Sequence, residues 1–443
     1  MENYRSSKNN YPKIGFCVIH HPLEVGADKS HQILEEAVKE FSNYNVDFIA
    51  FNEIVDSDEK ASRAGNFFCD NKIDALLAIE STWSNDYHIV DILEYIDVPV
   101  ILWAIPGMEN GSLCGFHQLG VVLYELGKKY KIFYGDINDK KIHSKILSYS
   151  KAASLKKYLR RQKIGLIGYR IPGMTEVTFD ELELKRKFGP RVINFGINYI
   201  QEMVNKIDKN EAKKVWNSIK NSGVKIEVSD EDGMTSCKNY LALNSIAKEN
   251  NIIGFAVECY PELMGQVCLA ASLLAKDNIV VACEADVNSA LAMIILNYLT
   301  GKSIHNTDLL NPDSNNSVVF SHCGSGDFSI AKAKKNIKIC PVRLQNCGTC
   351  VVFLPKLGDI TLVNIVGRKD TYRISTIEAY SQKTEMVFPG NPVSARFDIS
   401  VEKFLEIIAK NAVGHHWMIG YGKVLDEIKY FSNMVGVRLI DFS

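Results

Sequence analysis

Asn251-Ile-Ile-Gly-Phe-Ala-Val257 runs into Glu258, and Asn278-Ile-Val-Val-Ala-Cys283 runs into Glu284-Ala-Asp286. Each run has the length, β-branched content and bounding turn residues of a buried strand, and a helical pattern follows each, over residues 262–276 and 287–300. Two consecutive strand-helix units predict a parallel sheet. Polar groups just past the carboxyl ends of such strands line the crevice where ligands bind, so the two acidic clusters are expected to face one pocket. A histidine pair much later, in Gly414-His415-His416-Trp417, is placed to close it.

Working outward, strands and helices alternate from position 13 to about 134, with apolar runs at 14–19, 46–51, 75–79 and 98–103 and helical patterns at 32–41 and 119–130. This spacing predicts a parallel sheet covered by helices on both faces. A polar helix over 139–163 reads as a connector. A second alternation begins at Lys163-Ile-Gly-Leu-Ile-Gly168, continues through 191–195 and 224–228, and reaches the acid-tipped strands. Past Gly301 short β-rich runs crowd together at 317–322, 350–354, 360–366, 372–379 and 393–397, with Gly, Pro and Asn between them, ahead of a helix at 401–410. That texture predicts an antiparallel sheet or barrel. The expected domains are 1–150, 151–277 and 278–443, and a chain of 443 residues exceeds the roughly 250–300 residues that one core serves.

Composition narrows the classes. Hydrophobic residues make up 46% and charged residues 23%, as in an ordinary globular enzyme, and the net charge of −1 gives no nucleic-acid footprint. The basic run from Lys156 to Lys163 reads as a solvated helix face. The apolar stretch 290–299 is about half of the ~20 residues a membrane span requires. The N-terminus lacks the apolar core of a signal peptide, and eleven scattered cysteines fit a reducing compartment, so a cytoplasmic location is expected. Cys347-Gly-Thr-Cys350 has neither the second pair of a zinc site nor a redox βαβ context. The glycine-rich turn Gly165–Gly173 lacks the spacing that cradles a dinucleotide and contains Pro172, which argues against a nicotinamide enzyme.

If Glu284-Ala-Asp286 is extended, both acids point the same way, and with an imidazole they suit a hard or borderline divalent cation. Spacing alone leaves these acids equally readable as helix N-caps. In a strand only one of His415 and His416 can face a pocket, and a core or surface pair is the plainer reading. The same holds for His322 in Ser321-His-Cys-Gly324, whereas His20 in His20-His21-Pro22, a pair that ends the first strand, reads equally as lining a ligand mouth or as a turn. Trp83 and Trp103 sit near strand ends, where an indole can stack on a sugar or fill the core.

Val257-Glu-Cys-Tyr-Pro261, Ala282-Cys-Glu-Ala-Asp-Val-Asn-Ser-Ala-Leu291, Ser321-His-Cys-Gly324 and Gly414-His-His-Trp417, in that order, resemble the L-fucose isomerase and L-arabinose isomerase superfamily, and its shorter L-fucose isomerase-like members most. The likeness extends to Trp103 with Pro106-Gly107 and to Gly168-Tyr-Arg-Ile-Pro-Gly-Met174. It implies an α/β fold of two doubly wound parallel-sheet domains followed by a C-terminal β-barrel-like domain, in agreement with the alternation above.

The resemblance further implies a metal-dependent aldose–ketose isomerase working through a cis-enediol on a sugar such as L-fucose, D-arabinose or L-arabinose. Mn²⁺ is the implied ion, with Mg²⁺ or Co²⁺ as alternatives. Glu258, Asp286 and His416 match the metal ligands, and Glu258 and Asp286 the proton-transfer groups. Glu284, His322, His415, Trp417, Trp103, Trp83 and His20 fall around the implied substrate. A homotrimer or homohexamer is implied, with a neighbouring subunit contributing to the site, and neither nucleic acid nor membrane as partner. Two alternatives stay open: an isomerase of a modified hexose such as sulfoquinovose, whose sulfonate calls for a cation among Arg170, Arg343 and Arg396, and an inactive sugar-binding protein of the same fold.

Overall fold

A computed structural model describes residues 11–313 and 315–442. The N-terminal stretch that bears on a signal peptide, residues 1–10, lies outside them. The chain divides into two compact units, one of residues 11–158 with Asp426–Met434, the other of Leu159–Leu425 with residues 435–442.

The first unit is built on β1 (Lys13–Ile19), β2 (Asp47–Ala50), β3 (Ala75–Glu80), β4 (Val100–Ala104) and β5 (Tyr130–Tyr134). They form an all-parallel sheet in the order β2-β1-β3-β4-β5. Being covered on both faces, β3 and β4 are buried at every position, which is why they read as unbroken apolar runs. The helix expected at 119–130 spans Ser112–Glu125, because Gly127 takes a left-handed conformation and the chain turns into β5.

The second unit opens with β6 (Lys163–Ile167), β7 (Arg191–Phe195), β8 (Lys225–Ile226), β9 (Gly254–Val257) and β10 (Val280–Cys283). Its parallel sheet has the order β10-β9-β6-β7. The run at 224–228 does not join it. There β8 is two residues long and pairs with a hairpin further along the chain. Position 277 lies between β9 and β10, which are hydrogen-bonded neighbours of this one sheet.

The remaining strands are β11 (Ile304–Asp313), β12 (Ser317–Ser321), β13 (Lys338–Val342), β14 (Cys347–Val352), β15 (Gly358–Val366), β16 (Arg373–Gln382), β17 (Val393–Arg396), β18 (His416–Tyr421) and β19 (Arg438–Asp441). The order β15-β18-β11-β12-β17-β16 closes on itself through β15–β16 pairing, giving a six-stranded antiparallel barrel, with β19 added in parallel to β16. Closure leaves no open edge among these six strands. Phe320, Phe404, Trp417 and Phe442 fill its core. The hairpin β13–β14 pairs outside the barrel with β8.

Helix Val287–Thr300 is buried almost all round because one side meets β9 and β10 while the other meets β18 and β15. It ties sheet to barrel and so fixes the strand ends of one against the mouth of the other. Gly420 makes the approach possible: a Cβ there would stand 3.4 Å from Leu296 and 3.2 Å from Ile304.

Candidate functional site

The acid-tipped strands lie side by side, Val257 opposite Cys283, so Glu258 and Glu284 leave the sheet at adjacent strand ends. Glu258 is half-buried, and its Oε2 accepts a hydrogen bond from the Tyr169 amide at 2.5 Å. That amide follows Gly168, which has φ +72° and packs so tightly that a Cβ would stand 2.1 Å from the same oxygen.

The stretch Glu284-Ala-Asp286 is not extended. Glu284 (φ +63°) and Ala285 (φ +55°) are both left-handed, which ends β10 and turns Asp286 into the N-cap of helix Val287–Thr300. Two consecutive non-glycine residues in this region are a strain that persists where the surroundings fix it. Both Asp286 oxygens are engaged: Oδ1 accepts from the Ser289 amide at 3.0 Å, and Oδ2 accepts from the Ser289 hydroxyl at 2.6 Å and faces His416 Nδ1 at 2.8 Å.

His416, the first residue of β18, is buried, with Nε2 2.9 Å from Glu284 Oε2 and 3.6 Å from Asp308 Oδ1. Asp308 is paired with His416 on one side and Ser321 on the other, so the barrel register alone sets it between the two histidine-bearing strands. His322 follows β12 directly, buried, with Nε2 3.8 Å from Asp308 Oδ2. Burial by itself would lower the His416 pKa. The hydrogen bonds its ring donates to Asp286 and Glu284, and the charges of Asp286 and Asp308, outweigh it and hold the imidazole well above its ordinary range. Burial acts on Glu284 in the opposite sense, yet the His416 bond and the charges of His322 and His416 keep its carboxyl below the usual value. Burial pushes the Cys323 thiol up to about 12; Glu284 and Asp308 act the same way and Arg343 opposes them.

Two overlapping groups can hold a metal ion, Glu284 with His415 and His416, and Asp308 with His322 and His416. Their donors are carboxylate oxygens and imidazole nitrogens, the set that suits a hard or borderline divalent cation. Among the described residues Asp308 Oδ1 and His322 Nδ1 are buried without hydrogen-bond partners, the condition of groups arranged for something other than each other. The residues present therefore fit a cation.

The other expected residues have surroundings of their own. Trp417 faces the barrel core, fully buried between Phe320, Phe404 and Phe442, because in a strand it must point opposite to His416. Trp103 is likewise core, in the N-terminal unit, donating to the Gly135 carbonyl at 3.0 Å. Both indoles are core residues of their units. In that same unit Trp83 donates to Gln118 and lies beside the His21 ring, and His20 bonds Ser30 Oγ at 2.7 Å. His415 is exposed and pairs with Glu176. Sequence reasoning missed Asp308, Tyr169 and Glu176. For Asp308 the available signal is an acid next to Leu309-Leu310 within a run of Asn and Asp.

The chain is similar over 402 residues to the sulfoquinovose isomerase of Priestia aryabhattai, with 23% identity across 88% of this chain and 90% of that protein. The sulfoquinovose isomerase of Alkalicoccus urumqiensis is 22% identical over 380 residues, covering 83% of this chain and 86% of its own. The L-arabinose isomerase of Levilactobacillus brevis is 20% identical over 347 residues, covering 74% and 73%. No family model matches the chain. Its relatives are thus sugar isomerases, and the expected likeness holds at that level.

Proposed function

We propose that the protein is an aldose–ketose isomerase that uses a divalent cation, and that its substrate is a sulfonated hexose of the sulfoquinovose kind. Neutral aldoses resembling L-fucose, D-arabinose or L-arabinose are the second reading. The observation that carries the proposal is that Glu284 meets His416 of the Asp308–His322–His416 cluster at the barrel mouth, while Glu258 leaves the sheet at the strand end next to it. The named activities of the relatives support it.

Isomerisation moves one proton between C2 and C1 of the open-chain sugar and one between their oxygens, through a cis-enediol. Such transfers need a carboxylate within hydrogen-bond reach of the reacting carbons. We assign that role to Glu258: the Tyr169 amide fixes Oε2, and Oε1 would take the proton from one carbon and return it to the next. Glu284 and His416, with His415 beside them, would hold the ion, and Asp308 and His322, which form a second possible group with His416, would border it. Asp286 acts one step removed, fixing the His416 ring through Nδ1 and leaving Nε2, on the side of Glu284 and Asp308, as the nitrogen that would serve a cation. When bound, the divalent cation, with Mn²⁺ preferred and Mg²⁺ or Co²⁺ as alternatives, supplies Lewis acidity toward the sugar oxygens. In this proposal Glu284 takes the ligand role that the resemblance gives to Asp286.

We further expect a trimer or hexamer in a reducing, cytoplasmic compartment. We assign the His21 and Trp83 rings, with centroids 5.8 Å apart in the N-terminal unit, to a neighbouring subunit's site. Sedimentation showing an active monomer would remove that part. The activity is tested by isomerisation in D₂O. Ketose carrying deuterium at C1 is expected from carboxylate-mediated transfer, whereas ketose without deuterium would indicate a hydride shift, in which Glu258 has no proton to carry between the carbons.

A further inference from the structure

Resting on the sulfonated-hexose reading, we propose that Arg343 recognises the anionic end of the substrate. Arg343 occupies the turn of the β13–β14 hairpin, exposed, with its guanidinium 4.2 Å from the centre of the Phe388 ring and no carboxylate partner among the described residues. The backbone fixes this hairpin to both loops that leave the site. The Val351 amide donates to the Gly324 carbonyl at 2.9 Å, two residues past His322, and the Thr349 amide donates to the Gly265 carbonyl at 2.7 Å, in the loop that follows Glu258. Gly265 and Gly348 approach so closely that a Cβ on Gly348 would stand 2.6 Å from Gly265 backbone atoms.

Phe388 is anchored to the same region. Its loop continues into Gly390, where a Cβ would meet the His322 carbonyl at 2.0 Å, and into Asn391, whose amide donates to Ser321 Oγ at 3.2 Å. Arg343 therefore lies across two segments that both bear on the Ser321–Gly324 stretch, and its position relative to His322 is set by backbone contacts. Stacking on an aromatic face orients a guanidinium and leaves its N–H edge available. That planar edge matches the oxygens of a sulfonate, as it does those of a carboxylate or phosphate.

The other two arginines are less suited. Arg396 pairs with Ser317, the end of β12 remote from His322, and points away from the barrel. Arg170 follows Tyr169, beside the proposed proton-transfer carboxylate, and its Nη1 is directed at the Ile171 carbonyl at 3.3 Å.

The test compares kcat/KM for sulfoquinovose with that for quinovose, the same sugar without the sulfonate, using the Mn²⁺-loaded protein. In Arg343→Met this ratio is expected to fall about 10- to 100-fold, through KM, the usual effect of losing a charge-assisted bond. Arg343→Lys should recover part of the loss, Phe388→Leu should lower the ratio more mildly, and Arg396→Met should match wild type. An unchanged ratio in Arg343→Met, with wild type active on sulfoquinovose, overturns the proposal. Wild-type turnover of neutral aldoses alone overturns both it and the sulfonated reading but leaves the isomerase. Turnover of no aldose removes the isomerase reading itself.

Discussion

Asp308 and His416 face each other across the β11–β18 ladder, with Asp308 Oδ1 3.6 Å from His416 Nε2. The same Asp308 stands opposite Ser321 on β12, so one residue of a central strand connects the two histidine-bearing edges of the barrel mouth. Asp308→Asn keeps the shape and removes the charge. It is expected to weaken Mn²⁺ binding by about 10-fold or more, since carboxylates next to a metal-bound imidazole carry effects of about that size. Calorimetric titration with wild-type affinity would exclude Asp308 from the cation's surroundings.

Asp286 and Glu284 are expected to separate on mutation. Asp286→Asn retains a good N-cap for helix Val287–Thr300, so stability should change by less than about 1 kcal/mol, while Mn²⁺ affinity falls roughly 10- to 100-fold. Glu284→Gln, which removes a proposed ligand, should cost more affinity still. Equal losses in the two variants would make Asp286 a direct ligand.

Gly168→Ala tests how Glu258 is held. The added methyl meets Glu258 Oε2, and the φ of +72° is unfavourable for alanine. A misplacement of about 1 Å is expected to lower kcat by about 100-fold. Glu258→Gln should reduce turnover by about 1,000-fold or more with a normal unfolding transition. Near wild-type kcat in either variant would remove Glu258 from proton transfer.

Glu80, at the end of β3, sits beneath Gly115, with Oε2 buried and without a hydrogen-bond partner among the described residues. Burial raises its carboxyl to about 9 from an ordinary 4.5, against a Ser84 backbone bond that lowers it. Between these values the folded chain holds a proton that the unfolded chain has lost, so this group's contribution to stability falls as pH rises through that window and levels off above it. Glu80→Gln should remove the slope and stabilise the N-terminal unit by about 1–3 kcal/mol at about pH 8, with little effect near the ordinary carboxylate value. Urea unfolding at the two pH values measures the difference, and identical shifts at both would contradict the buried, protonated state.

The acid-tipped strands were legible because a short β-branched run between turn residues, ending in carboxylates, reads the same way in sequence and in space. Asp308 was not. Its strand contains two Asn, two Asp and a Pro, and it is held extended by partners on both sides, with a register shift between Leu309 and Asn311. No local propensity announces such a strand. The turn at Glu284-Ala285 was hidden for a different reason: left-handed backbone is signalled by Gly or Asn, and here neither is present. Trp417 could have been placed from period two alone, since a His416 that faces the site obliges its neighbour to face the core.

Whether this set of carboxylates and imidazoles isomerises a sulfonated sugar with a bound cation is decided by ketose formation from sulfoquinovose. The purified protein is demetallated and then titrated with Mn²⁺, with neutral aldoses alongside. No turnover is expected without metal, then restoration that saturates at one ion per site and a preference for the sulfonated sugar. Equal turnover in the demetallated protein, or metal binding with no ketose from any aldose, would refute the proposed chemistry.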